Sequence, residues 1–355
     1  MSRERLAAVR SLVKAAEVDA FMVTHPVNRR YLSGFDGSSG LLLISSSQAC
    51  LVTDFRYLEQ AEEQAEEFSV IRRHDELYSG LAEIIEHNGW RKIGFEAKHL
   101  TYDSYIELAG KLKIQWIPLT DIVEKLRLIK SSAELIVMNR GAAILDQAFS
   151  YLLTLIRPGM SERQLALELE IFLLRAGAEE RSFRFIVASG PRGALPHGVA
   201  SEKLMSVGDL VTIDFGAVFA GYATDMTRTV CLGNPSRLQR RIYDLVKEAQ
   251  AGAVAAVGPL KNTTAIDAVA RDIIDKAGYG KYFGHGLGHG IGLETHEAPI
   301  LNRRSETGLE AGMVMTIEPG VYLPGQGGVR IEDMVYVTEC GAEVMTTSTR
   351  ELITI

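Results

Sequence analysis

A chain of 355 residues with a net charge of −7 at pH 7 is long enough for two domains, and it has no block of lysines and arginines to suggest a nucleic-acid surface. Its three scattered cysteines, Cys50, Cys231 and Cys340, include no C-x-x-C pair, and predict reduced, buried thiols rather than a disulfide framework. The opening MSRERLAAVRSLVKAAEV carries charges throughout and no apolar run approaches the roughly 20 residues of a membrane span, so a cytoplasmic protein is expected.

In chain order, RERLAAVRSLVKAAEV (3–18) has helical periodicity and DAFMVTH (19–25) reads as a buried strand. GLLLISS (40–46) and ACLVTDF (49–55) are apolar runs separated by polar residues and predict a hairpin. A helix over 56–68, a strand over 69–73 and a helix over 77–89 follow, then a strand over 91–96, a helix over 102–112 and a strand over 114–119. Alternation of this kind predicts a small α/β domain over residues 1–123 and a second domain over 124–355. At the junction, Ser131 with Glu134 three residues later is a capping-box pattern opening a long helix.

The second domain contains an internal repeat. RPGMSERQLALELEIFLLRAG (157–177) aligns without gaps on GPLKNTTAIDAVARDIIDKAG (258–278) at a constant offset of 101. Each copy is a turn, a polar cap (Ser161 or Asn262), an amphipathic helix and a glycine stop. Each copy leads to a hairpin bearing carboxylates. In LVTIDFGAVFAGYATDMTRTV (210–230), a turn centred between Phe219 and Ala220 sets Asp214 opposite Asp225, with Cβ atoms about 4.5–5.5 Å apart. In VMTIEPGVYLPGQGGVRIEDMVYVT (314–338), a turn centred near Gly325 sets Glu318 opposite Glu332. A single strand acid is ordinarily a solvated or salt-bridged side chain. Two opposed pairs on apolar strands instead point to bound cations, because buried carboxylates must be paired or coordinate metal.

GHGLGHGIGLETHE (284–297) spaces His285 and His289 four apart, as in a zinc-binding helix. Alternating glycines make a helix costly, at about 1 kcal/mol each, and suit extended backbone closely approached by something else. With no H-E-x-x-H, a zinc-protease helix is excluded. His289 is a candidate metal ligand, with His285 and His296 beside it and His197 more distant in LPHG.

LPHG, DFGAVFAGYATDMTRT, HGLGHGIGLETHE, TIEPGVY and VRIED together resemble the pita-bread metallopeptidases, the family of prolidase, aminopeptidase P and methionine aminopeptidase. YLSGFDGSSG and LRLIKSSAEL resemble the N-terminal domain of prolidases and aminopeptidases P, which methionine aminopeptidases lack. The resemblance implies an α+β fold class: a C-terminal pita-bread (creatinase/aminopeptidase-like) domain with an internal pseudo-twofold repeat, preceded by a smaller α/β domain. It implies five metal ligands, Asp214, Asp225, His289, Glu318 and Glu332, holding two divalent ions. His197 and His296 take the positions of histidines that contact substrate and the tetrahedral intermediate, with Glu318 shuttling a proton. His285, Arg330 and Tyr322 take positions near the substrate, and Thr227 shares a strand face with Asp225.

Two metals activate a water and polarise the scissile carbonyl. Oxygen-rich ligation favours Mn2+, with Co2+ or Zn2+ also able to fit. The resemblance implies hydrolysis of the N-terminal Xaa-Pro bond of small peptides, in a homodimer. Aminopeptidase P type is favoured over Xaa-Pro dipeptidase (prolidase), because no arginine apart from Arg330 is placed near the site to hold a dipeptide's carboxylate. A metal-free creatinase-like amidinohydrolase would not need the five ligands, and a non-catalytic protein of the same fold would be expected to have lost some.

Overall fold

The structure, a computed structural model, describes residues 2–73, 78 and 80–355. It divides into two compact units, Met1–Arg127 and Leu128–Ile355. The division falls after Arg127 rather than after residue 123. The turn Glu124–Arg127 is tied into the first unit, since Arg127 Nη1 donates to Asn28 Oδ1 (2.9 Å) and Tyr31 Oη to the Leu126 carbonyl (3.1 Å).

The first unit is built on a six-stranded mixed sheet, in the order Ser69–Arg72, Ala49–Thr53, Leu41–Ser45, Ala20–Val23, Lys92–Glu96, Gln115–Leu119. Its inner strands are buried on both faces, which is why they read as continuous apolar runs. Leu41–Ser45 and Ala49–Thr53 form the expected antiparallel hairpin. The helix expected over 56–68 is shorter: a 3-10 turn at Phe55–Tyr57, then Leu58–Gln64. The helix expected over 77–89 runs Leu81–Asn88, and residues 77 and 79 of that expectation lie outside the described residues. A further helix, Pro26–Ser33, starts on proline and ends on Gly34 at φ 84°, a proline-in, glycine-out signal that the periodicity reading passed over. Cys50 is buried as expected of a thiol in this core, as is Cys231 in the second unit, whereas Cys340 is exposed.

The second unit uses one design twice. Helices Ser132–Leu155 and Glu162–Arg175 pack their apolar faces with the sheet Met226–Cys231, Leu210–Phe215, Ile186–Ser189. Helices Arg237–Ala256 and Thr263–Lys276 pack likewise with the sheet Glu297–Leu301, Gly288–Gly290, Val314–Ile317, Asp333–Thr338, Gly341–Val344. The repeated helices Glu162–Arg175 and Thr263–Lys276 both have 14 residues. Ser161 caps the first through the Gln164 N–H and Asn262 the second through the Thr264 N–H; Gly177 and Gly278 follow them at φ 98° and 86°. Ser131 and Glu134 form the predicted capping box.

Candidate metal centre

In the first hairpin the turn is the pair Ala220–Gly221, with φ 47° and 83°. Two positive φ values mark the tight hairpin turn whose twist suits antiparallel strands. The turn therefore lies one residue later than expected, and the register moves by two: Asp214 pairs with Thr227, not with Asp225. A shift of two keeps every side chain on its face, so Asp225 remains beside Asp214 as a diagonal neighbour. The second hairpin has the expected register. Ile317 faces Asp333 below and Gly320 faces Arg330 above, which brackets Glu318 against Glu332. Between these ladders Glu318 N–H bonds the Leu287 carbonyl and Glu332 N–H bonds the Thr227 carbonyl. The two acids thus stand where the hairpin opens toward the other strands of the site.

His289 lies on the strand Gly288–Gly290, not on a helix. A Cβ on Gly288 would meet the Thr316 carbonyl oxygen at 2.0 Å, and one on Gly290 would meet that of Ala298 at 2.0 Å. Close strand approach therefore requires both glycines. Pairing with Glu297–Leu301 shifts register between His289 and Gly290, the kind of bulge that re-aims a side chain.

One cavity of about 430 Å³ brings together Asp214, Asp225, His289, Glu318 and Glu332, with His197, His285, His296 and Arg330 also on its wall. Ligand atoms of Asp225, His289 and Glu332 all lie within 4.8 Å of one another. His289 Nε2 is 3.6 Å from Glu318 Oε1 and 3.8 Å from Asp225 Oδ2. His289 Nδ1 lies 3.0 Å from the Gly290 carbonyl, an acceptor only, so Nδ1 carries the proton and the Nε2 lone pair faces the carboxylates. Burial pulls the His289 imidazole down to about 4, which keeps it neutral near pH 7.

Burial likewise raises the carboxyls of Asp225 and Glu332 well above the usual range, reinforced by Glu332, Asp214 and Glu318 around the first and by Glu318 and Asp214 around the second. Burial pushes Glu318 up to about 8, against the pull of Arg330. Asp214 Oδ1 and Asp225 Oδ1 are buried with no hydrogen-bond partner among the described residues. Two orphaned carboxylate oxygens, repelling acids and a neutral imidazole aimed at them form a donor set that could hold a divalent cation.

Arg330 is 3% exposed and makes four hydrogen bonds. Nη2 donates to Asp214, Nη1 to Tyr322 Oη (2.7 Å) and the Pro196 carbonyl (3.1 Å), and Nε to Thr227 Oγ1 (3.2 Å). Tyr322 Oη in turn lies 2.9 Å from His285 Nε2, and His285 Nδ1 lies 2.7 Å from the Gly286 carbonyl. Nδ1 therefore donates to Gly286 and Nε2 accepts from Tyr322; burial holds this imidazole near 4. The guanidinium and phenol expected beside the substrate thus spend their hydrogen bonds on the protein, while Pro196 links Arg330 to the loop carrying His197. His197 and His296 are exposed into the cavity, and the His296 ring lies 4.2 Å from that of His289. The cavity wall also includes Phe183, Ile186, Val199 and Ile300, and one cation the sequence reading missed, Arg184.

A cavity with paired carboxylates and a ligand-ready imidazole is a candidate centre for metal-dependent hydrolysis. The chain belongs to Metallopeptidase family M24, whose profile matches residues 137–339, and residues 5–129 match the Creatinase/Prolidase N-terminal domain. It is 39% identical over 354 residues to an Xaa-Pro dipeptidase of Pyrococcus furiosus, covering 99% of this chain and 100% of the relative. Its fold is similar to the structure of an Xaa-Pro dipeptidase from Bacillus anthracis, with TM-score 0.98, 46% identity and 100% of both chains covered. It is also similar to that of an X-Pro aminopeptidase from Thermotoga maritima, with TM-score 0.91, 35% identity and 98% and 99% covered. The chain is a peptidase of this metallo-hydrolase family, and among the described residues no helix is long and apolar enough to cross a membrane.

Proposed function

We propose that this chain is a dinuclear-metal peptidase for the Xaa-Pro bond, of the dipeptidase (prolidase) type. The observation that carries the dipeptidase reading is end-to-end similarity to proteins described as Xaa-Pro dipeptidases, at 39% and 46% identity. The sequence reading favoured aminopeptidase P because no arginine besides Arg330 was placed near the site; Arg184 on the cavity wall removes that reason. Aminopeptidase P remains the second reading, supported by the similarity to the Thermotoga maritima protein. The orphaned oxygens of Asp214 and Asp225 weigh against a metal-free amidinohydrolase and a non-catalytic protein alike. Sparse cysteines and the acidic balance support a cytoplasmic setting, and the family resemblance supports a homodimer.

Asp214, Asp225, His289, Glu318 and Glu332 would hold two divalent ions, Mn2+ best matching the oxygen-rich set. When bound, the ions supply Lewis-acid polarisation of the scissile carbonyl and a nucleophile usable at neutral pH. Glu318 carries a proton on its carboxylate oxygen to the leaving prolyl nitrogen. His296 donates to the developing oxyanion, and His197 positions the residue after the scissile bond. His285, Tyr322 and Arg330 form a fixed hydrogen-bonded wall that orients Asp214 and the His197 loop. Proline brings no N–H to this amide, so its pocket needs no acceptor.

The test is kcat/KM for Ala-Pro and Ala-Pro-Ala after exhaustive chelation and again after manganese is restored. Hydrolysis of Ala-Pro alone, and only with manganese, is expected. Equal hydrolysis of the tripeptide makes the protein an aminopeptidase P, and full activity in verified metal-free protein removes the metal from the mechanism.

A further inference from the structure

We propose that the first unit carries a cation site of its own, suited to zinc and made by His25, His99 and Glu124. One ligand atom from each of the three lies within 4.8 Å of the other two. The His25 and His99 rings stack with centroids 3.5 Å apart and 16° between their planes, and His99 Nε2 is 3.6 Å from Glu124 Oε1. All three residues are half-buried. The inference does not depend on the peptidase reading, because all three residues belong to the first unit and the candidate catalytic ligands to the second.

The fold gathers these donors from distant parts of the chain. Ala20–Val23, Lys92–Glu96 and Gln115–Leu119 are adjacent parallel strands. His25 follows the first of them, His99 the second and Glu124 the third. All three therefore lie beyond the carboxyl ends of parallel strands, where open α/β sheets bind their ligands. Buried Glu96 ends the middle strand and accepts from the N–H groups of Thr24 (2.6 Å) and His25 (2.7 Å), which ties the His25 turn to the strand that leads to His99. Lys98 pairs with Asp121 at 2.6 Å and joins the loops of His99 and Glu124.

Buried Asn28 completes the arrangement. Its Nδ2 donates to Glu96 Oε1 (2.7 Å) and Glu124 Oε1 (2.6 Å), and its Oδ1 accepts from Arg127 Nη1. A carboxylate offers about four lone-pair sites, so Glu124 can be oriented by Asn28 and still ligate, as metal ligands held by an outer partner do. Two imidazoles and one carboxylate differ in kind from the oxygen-rich set around Asp214 and Asp225. Imidazole suits zinc, copper and nickel, whereas carboxylates suit manganese. Zinc takes imidazole nitrogens and carboxylate oxygens at about 2.0–2.2 Å and accepts water as a fourth ligand, so donors this close reach one ion by side-chain rotation. The ion would clamp three loops that leave three different strands.

The full chain carrying Asp225→Asn/Glu332→Gln, which cripples the other centre, is stripped with chelator and titrated with Zn2+ at pH 8, with and without His99→Phe. Phenylalanine keeps a ring stacked on His25 and removes the donor. The parent is expected to bind zinc at this site and to melt at a higher temperature when zinc is present. His99→Phe should lose both effects, its affinity falling by more than the about 10–100-fold that a lost outer partner costs. His25→Ala and Glu124→Gln, measured in parallel, should weaken the same binding, and they carry the test if His99→Phe fails to fold. In the otherwise unaltered chain, His99→Phe should lower zinc content by about one ion. Equal zinc uptake and equal melting shifts in parent and variants overturn the site and leave His99 and Glu124 paired only with each other. Zinc binding that His99→Phe removes but His25→Ala and Glu124→Gln leave unchanged places the ion elsewhere and overturns it as well.

Discussion

The Thr227 hydroxyl donates to Glu332 Oε2 across 2.6 Å, both residues buried, and joins a strand of the first hairpin to a strand of the second. The same oxygen accepts from Arg330 Nε, so Glu332, Thr227, Arg330 and Asp214 form one chain of bonds. Thr227→Val keeps the shape and deletes the hydroxyl. Metal affinity is expected to fall about 10–100-fold, as for other lost partners of metal ligands, with little change in secondary structure. Titration of the metal-free variant with manganese checks this, and an unchanged dissociation constant would show that Glu332 is oriented by something else.

Asp225→Asn should abolish turnover and lower bound metal from two ions per chain to about one or none. In metal-free protein the same change should not destabilise, because burial and three neighbouring acids already disfavour the charge on Asp225. Metal content per chain, circular dichroism and thermal melts of the apo form at pH 8 test both halves. Full metal content with normal turnover would remove Asp225 from the ligand set.

His296 is exposed in the cavity, its ring tilted 46° to that of His289, and we assign it to the intermediate rather than to the metals. His296→Ala is expected to lower kcat by about 10²–10³ while leaving metal content intact. Loss of metal instead would make it a ligand.

Without metal, stability should depend on pH in a defined direction. Glu318 has its carboxyl raised from 4.5 to about 8, and Asp225 and Glu332 are also raised. The folded apo protein therefore binds more protons than the unfolded chain over this range. Its stability is greatest below about 4.5 for these groups and is lost as pH rises toward about 8. Manganese should remove most of this slope, because it replaces the protons as the neutralising charge. Melting temperatures of apo and manganese-loaded protein between pH 5 and 8.5 make the comparison. A slope shared by both forms would place its origin outside the metal centre.

Local signals carried the helices of the repeat, both caps and the second hairpin's register, because PGQGG leaves its turn little choice. The first hairpin was centred one residue early because an alanine at φ 47° carries no sequence mark of its own. Only Gly221 advertised that turn. The five candidate ligands were legible because each stands in a short motif. Arg184 was not, since it stands before the strand Ile186–Ser189 and no local pattern marks it as lining the cavity. Arg330 and Tyr322 stand in the same second hairpin, but their partners depend on three-dimensional closure: Asp214 and Pro196 are 116 and 134 residues away from Arg330.

The doubled design of the second unit divides the candidate donors unequally. Asp214 lies on the first sheet and Asp225 just before its strand Met226–Cys231, whereas His289, Glu318 and Glu332 come from beyond the helix that begins at Arg237. A protein severed between Gly233 and Ser236 would leave each fragment with an incomplete ligand shell. The cation would then act as an adhesive between the halves, and its uptake would measure their reassembly.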